Sequence, residues 1–122
     1  MRAAGIRVLL ASDNTRDPFY AYGNLDMGKV FRKSTRILQL DHPFGAWPAA
    51  VAATPAEAMG VSGQHGMIRV GADADLVLFS ARFMTELLSR PQSDRIVLRA
   101  GKLLEAAPPD DRELDAAVGV AG

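Results

Sequence analysis

The sequence predicts an α/β chain, and three observations carry that reading. Ile6 to Ala11 is a short, mostly apolar run bounded by Gly5 and a polar cluster, the form of a buried parallel strand. Met27, Val30, Phe31, Ile37 and Leu38 follow helical spacing, with Lys29, Arg32, Lys33 and Arg36 off the stripe. From residue 66 to residue 105 short apolar runs alternate with glycine-containing turns.

The first run organises the rest. Ser12, Asp13 and Asn14 begin where the strand should end. In α/β enzymes the loops at the carboxyl ends of strands converge on one mouth, where chemistry is done. A carboxylate at such a mouth can bind a metal or accept a proton. The three residues also suit a plain polar turn, and both readings stand at this point. Phe19, Tyr20 and Tyr22 follow on the same loop. They can stack on a planar ligand or pack the loop onto the domain.

Asn24 is the expected N-cap of the helix, with Asp26 in its first turn and its end near Leu40. The basic face reads as solvated. His42-Pro43 stops the helix, and His42 reads as a loop or capping histidine. Trp47 to Ala53 is a short alanine-rich helical stretch. Thr54-Pro55-Ala56-Glu57 reads as a capping box with proline at the first helical position. The helix it opens ends at Gly60, and its alanines admit a close neighbour. His65, between Gln64 and Gly66, is expected to be exposed.

Residues 66–79 read as two short strands around the turn Gly71-Ala72-Asp73-Ala74-Asp75. Asp73 and Asp75 are candidate metal ligands, but turn formation is the stronger reading. Phe83 to Leu88 suits one or two helical turns. Arg95–Arg99 and Lys102–Glu105 read as strands joined by a hairpin at Ala100-Gly101. The composition after Ala106 reads as a frayed tail.

Composition sets limits. The 122 residues allow one domain with a modest core. Fourteen basic and fourteen acidic residues cancel, so no charge excess argues for nucleic acid or an anionic membrane. The absence of cysteine excludes disulfides, thiolate zinc sites and a cysteine nucleophile. Two histidines, His42 and His65, are too few for a metal site built mainly of imidazoles. No leader opens the sequence and no apolar run is long enough to span a membrane, so a cytoplasmic location is the expectation.

Three segments together resemble the C-terminal part of the amidohydrolase superfamily. They are Ala-Ser-Asp-Asn-Thr-Arg-Asp-Pro-Phe-Tyr at 11–20, the threonine-proline-alanine helix at 54–60, and Gly66-x-Ile68-x-x-Gly71-x-x-Ala74-Asp75-Leu76-Val77-Leu78. Within the superfamily, the loop at 11–20 resembles the cytosine-deaminase branch. The resemblance covers most of the chain, to about Glu105. It implies a piece of a metal-dependent (β/α)₈-barrel hydrolase with strands of a small β-sandwich beside it. Residues 1–60 would be the last βα segment of the barrel, with Ile6–Ala11 as its eighth strand. Residues 61–105 would be sandwich strands and 106–122 a flexible tail.

The resemblance also implies a chemistry. Asp13 would ligate a catalytic divalent metal, zinc or iron, and take a proton from the metal-bound water. The hydroxide would attack the amino-bearing carbon of a pyrimidine or related heterocycle, releasing ammonia. Asn14 and Phe19 would line the substrate pocket. The branch carries a second aspartate where this chain has Asn14, and a tryptophan where it has Phe19. An amide cannot serve as a charged acceptor, which counts against cytosine itself as the substrate.

The family's histidine ligands and catalytic glutamate lie on earlier strands that this sequence does not contain. Asp13 alone cannot hold a metal tightly. The expectation is therefore a C-terminal part of such an enzyme, inactive by itself and binding no metal tightly. It would form a homo-oligomer or associate with the preceding part. The competing expectation is a non-catalytic remnant or small α/β association module.

Overall fold

The computed structural model describes residues 4–43, 45–105 and 110–119. Helix α1 is Met27–Leu38. A 3₁₀ turn, Pro48–Val51, runs into helix α2, Ala53–Ala58. Strand β1 is Leu76–Leu78, helix α3 is Met84–Ser89, and strands β2 and β3 are Ile96–Arg99 and Lys102–Leu103. A second 3₁₀ turn, Asp111–Leu114, leads into the single helical turn α4, Asp115–Val118.

The sheet is three-stranded and antiparallel in the order β1-β2-β3. Leu76 faces Leu98 and Leu78 faces Ile96, while Arg99 faces Lys102. The β2–β3 hairpin forms where expected. Ala100 and Gly101 both have positive φ, 48° and 74°, as a two-residue turn matched to strand twist requires. Asp75 fastens that turn: its Oδ1 accepts the Ala100 N–H at 2.7 Å and its Oδ2 meets Arg99 Nη1 at 2.6 Å. The side chain of Asp75 thus serves the turn of the facing hairpin rather than the turn at 71–75 in which it was expected to act.

Helix α1 starts two residues later than the sequence suggests. Its N-cap is Asp26, whose side chain accepts the Lys29 N–H at 3.1 Å, while Asn24 only reaches the Asp26 N–H at 3.4 Å. The helix ends at Gln39 in the left-handed conformation. It packs on the Pro48–Val51 turn, and around that contact lie the buried residues Phe31, Thr35, Leu40 and Ala50. The Thr35 hydroxyl bonds back to the Phe31 carbonyl at 2.8 Å, which satisfies it inside the core. The stripe is only partly covered, since Ile37 and Leu38 are 74% and 57% exposed.

Three local expectations are corrected. Residues 6–11 form no strand. Leu10 donates to the Ala50 carbonyl at 2.9 Å, but a strand requires a neighbouring ladder, and none of the described residues supplies one. For the same reason Met67–Val70 is not a strand, and Ile68 and Val70 lie open to solvent. The capping box at Thr54 does not form. The preceding 3₁₀ turn carries the chain straight into α2, whose cap is Ala52 with no side-chain hydrogen bond. Glu57 turns instead to Arg7, 2.6 Å away.

The alanines of α2 do admit a close neighbour, and it is Gly66. A Cβ there would lie 2.7 Å from Ala56 Cβ and 2.9 Å from the Ala52 carbonyl oxygen, and Gly66 has φ of 83°. In the expected tail, residues 110–119 hold the second 3₁₀ turn and α4, and residues 106–109 and 120–122 lie outside the described residues. Among the described residues no helix is long and apolar enough to cross a membrane.

Candidate functional site

The loop after residue 11 is built around Asp17, whose role sequence reading missed. Asp17 Oδ1 accepts the N–H groups of Phe19 and Tyr20 at 2.9 and 2.8 Å. Its Oδ2 accepts from Asn14 Nδ2 at 2.6 Å. The Asn14 amide, followed by the Tyr20 and Phe19 amides, holds this carboxyl below the usual carboxylate range. The signal was present in Asp17-Pro18, since an aspartate before proline commonly bonds to the backbone two residues on.

Gly23 closes the loop from the other side. It is buried, and a Cβ on it would stand 2.6 Å from Thr15 Cα and 2.7 Å from the Asn14 carbonyl oxygen. Asp13 and Arg16 flank the clamped pair with φ of 56° and 53°. A non-glycine residue in that region costs about 1–2 kcal/mol, least for Asp and Asn. The clamp at 14–17 and 23 is what holds them there.

Asp13, Asn14 and Phe19 thus share one loop, in which Asp17 ties the Asn14 side chain to the Phe19 backbone. Asp13 is exposed, Asn14 is half-buried with its amide committed to Asp17, and Phe19 is 88% exposed. A neighbouring groove of about 190 Å³ opens between the loop and α1. It is lined by Ser12, Tyr20, Lys29 and Lys33 among others, and not by the three candidates.

The metal implied by the resemblance does not fit the residues present. Among the described residues no group of three His, Cys, Asp or Glu side chains is placed to hold a metal ion, whereas protein sites use three or four ligands. His65 is half-buried rather than exposed. Its Nε2 lies 3.7 Å from Asp73 Oδ2 and its Nδ1 4.0 Å from Asp75 Oδ2, far from the loop in sequence. His42 is an exposed loop residue, its Nδ1 2.8 Å from the Asp41 carbonyl oxygen.

Sequence reading missed two further pairs. Asp26 joins Arg95 through both carboxylate oxygens, at 3.0 and 2.7 Å. That guanidinium is the main reason its carboxyl sits at about 2. Lys33 Nζ donates to Tyr20 Oη at 3.1 Å, and with Lys29 it lowers the Tyr20 phenol from its ordinary value. Both pairs link residues distant in sequence, which periodicity does not encode.

Comparison with known proteins agrees with the motif reading at the level of the family. The amidohydrolase family model matches residues 1–104. A pterin deaminase of Rhizobium rhizogenes (strain K84 / ATCC BAA-868) is 56% identical over 119 residues, covering 98% of this chain. The chain spans 27% of that relative's length. No solved structure matches it. With the family model matched from residue 1 to residue 104, the chain belongs to the amidohydrolase family.

Proposed function

We propose that this chain is the C-terminal segment of a hydrolytic deaminase acting on an amino-substituted heterocycle, pterin-like before cytosine-like. The single observation that carries the reading is the 56% identity to a pterin deaminase across almost the whole chain. The loop chemistry supports it. Asn14 offers a neutral amide where the cytosine-deaminase branch has a charge. Phe19 leaves more room than a tryptophan, as a fused two-ring substrate would require.

In this reading water adds to the amino-bearing ring carbon and ammonia leaves. Asp13 is the proton acceptor this chain contributes, and its exposure fits a group awaiting the rest of a site. Amidohydrolases generally use divalent metals. The donors present here do not make such a site, so the remaining ligands and the enclosing walls would come from residues outside this sequence.

The test is a chimera in which this chain replaces the matching segment of the pterin deaminase. Deamination of pterin, followed by ammonia release, is expected. Asp13→Asn should lower turnover by about 10²–10⁴-fold, the span of a positioned general base. The isolated chain, assayed with added zinc or iron, should release no ammonia from pterin or cytosine. A folded chimera without pterin turnover would favour a non-catalytic remnant, and near-normal turnover in Asp13→Asn would remove Asp13 from the chemistry.

A further inference from the structure

The groove between the 12–25 loop and α1 carries an unusual charge balance. Lys29 and Lys33 stand four residues apart, hence on one face of the helix, and both line the groove with Ser12, Ser34 and Tyr20. Lys29 Nζ donates to the Tyr22 carbonyl at 3.3 Å, and Lys33 Nζ donates to Tyr20 Oη at 3.1 Å. Both acceptors are neutral. Neither ammonium forms an ion pair with a carboxylate among the described residues.

Asp26 is the one carboxylate in the lining, and it is taken. Arg95 holds both of its oxygens, and the Lys29 backbone N–H holds one of them as well. Two cationic residues therefore line a concave space whose one carboxylate is already paired. Around them are groups that can donate further hydrogen bonds: the Ser12 and Ser34 hydroxyls, and the Tyr20 phenol, which accepts from Lys33 and retains its own proton.

We propose that this groove is a binding site for a compact oxyanion, a phosphate or carboxylate group seated between Lys29 and Lys33 with Tyr20 Oη as a third donor. Charge-assisted hydrogen bonds to oxyanions are stronger than those to the neutral oxygens the lysines now use. At about 190 Å³ the groove accepts one such group and not a whole cofactor. Tyr20 reports on the site independently. The lysines lower its phenol from its ordinary value, and an anion bound between them offsets that field, so occupancy moves the phenol back up. The site is independent of the deaminase reading, since none of Asp13, Asn14 and Phe19 lines it.

The oxyanion can be free inorganic phosphate or the carboxylate of an aromatic ligand. Titration calorimetry on the full chain at low ionic strength, where screening is weakest, separates them with inorganic phosphate in one arm and benzoate in the other. Saturable binding in about the millimolar range is expected. Tighter phosphate binding identifies the free anion, and tighter benzoate binding identifies the aromatic carboxylate. Lys29→Gln and Lys33→Gln should each weaken binding about tenfold, the loss of one charge-assisted hydrogen bond. Arg36→Gln, which removes the same charge from the exposed last turn of α1 outside the groove, should leave it unchanged. An ultraviolet titration in a Tyr22→Phe background, where Tyr20 is the remaining tyrosine, with and without phosphate, gives a second readout that depends on no change to the groove lining. Absence of saturable binding of both anions, equal weakening by Arg36→Gln, or a Tyr20 titration indifferent to phosphate overturns the proposal.

Discussion

Arg95 and Asp26 lie 69 residues apart and form a two-bonded ion pair, Nη1 to Oδ1 at 3.0 Å and Nη2 to Oδ2 at 2.7 Å. The pair ties the N-cap of α1 to the residue before β2, so it joins the helical half of the chain to the sheet. Among the described residues it is also the best protected ion pair, with side chains 19% and 32% exposed.

The pair makes stability depend on acid. Asp26 is held at about 2 against 3.8 for the free group, first by Arg95. A carboxyl depressed in the folded state stabilises it fully above the unfolded value, and that stabilisation is lost as pH falls from about 4 towards 2. The difference corresponds to roughly 2–3 kcal/mol at most. Asp26→Asn keeps a capping side chain and loses the charge, so it should remove most of this acid-sensitive step. Denaturant midpoints at pH 7 and pH 2.5 for both forms check it: a drop equal in both would mean Asp26 is not the titrating group.

The same pair shows why the helix start was misread. Asn24 and Asp26 are both good caps by residue type, and the choice between them is fixed in part by an arginine on a distant element. Features set by neighbours in sequence were legible: the Ala100-Gly101 turn, the Met84–Ser89 helix and the body of α1. Features set by pairing were legible only in part: β1, β2 and β3 form where strands were expected, and residues 6–11 and 67–70 do not. Ile6–Ala11 has the composition of a strand, yet a strand is a relation between two segments. In the site, Asp13 and Asn14 were legible as a polar loop at the end of an apolar run. The clamp that shapes the loop was not, because it depends on Asp17 reaching three donors and on Gly23 folding back onto Thr15.

Asp17 should therefore control the order of the candidate site. Asp17→Ala removes the acceptor for the Phe19 and Tyr20 amides and frees the Asn14 side chain. Hydrogen exchange at those two amides should rise about tenfold, as for the loss of a comparable cap. The amides of α1 should be unaffected. Unchanged exchange at Phe19 and Tyr20 would show that Gly23 packing alone holds the loop.

Gly66 tests the packing of α2. Alanine there meets two penalties, a positive φ and a Cβ inside contact distance of Ala56 and the Ala52 carbonyl. The expected loss is about 1–3 kcal/mol, in the range for overpacking and for alanine at positive φ. Gly63→Ala is the matched control, since nothing lies within 4 Å of its Cβ position. Thermal unfolding should show a lower midpoint for Gly66→Ala than for Gly63→Ala; equal midpoints would mean the loop moves away from the helix at no cost.

No large side chain is fully buried among the described residues. Ile68, Val70, Ile37 and Leu38 are exposed, and among the described residues β1 and β3 each leave one edge of the sheet unpaired. Open edges beside apolar surface favour pairing with another copy. A domain of this size has about 5–15 kcal/mol of net stability, and full burial of one large apolar side chain contributes about 1.5–3 kcal/mol. Leaving several of them in water removes a large share of that margin, and covering them in an oligomer restores it. We therefore expect the isolated chain to self-associate at low micromolar concentration, with an unfolding midpoint that rises with protein concentration. Light scattering and concentration-dependent denaturation test this together. Replacing Ile68 and Val70 with threonine should shift the population towards monomer while leaving the helical signal unchanged. A monodisperse monomer with a cooperative, concentration-independent transition would show that the small core around Phe31, Leu40, Ala50 and Ala56 is sufficient by itself.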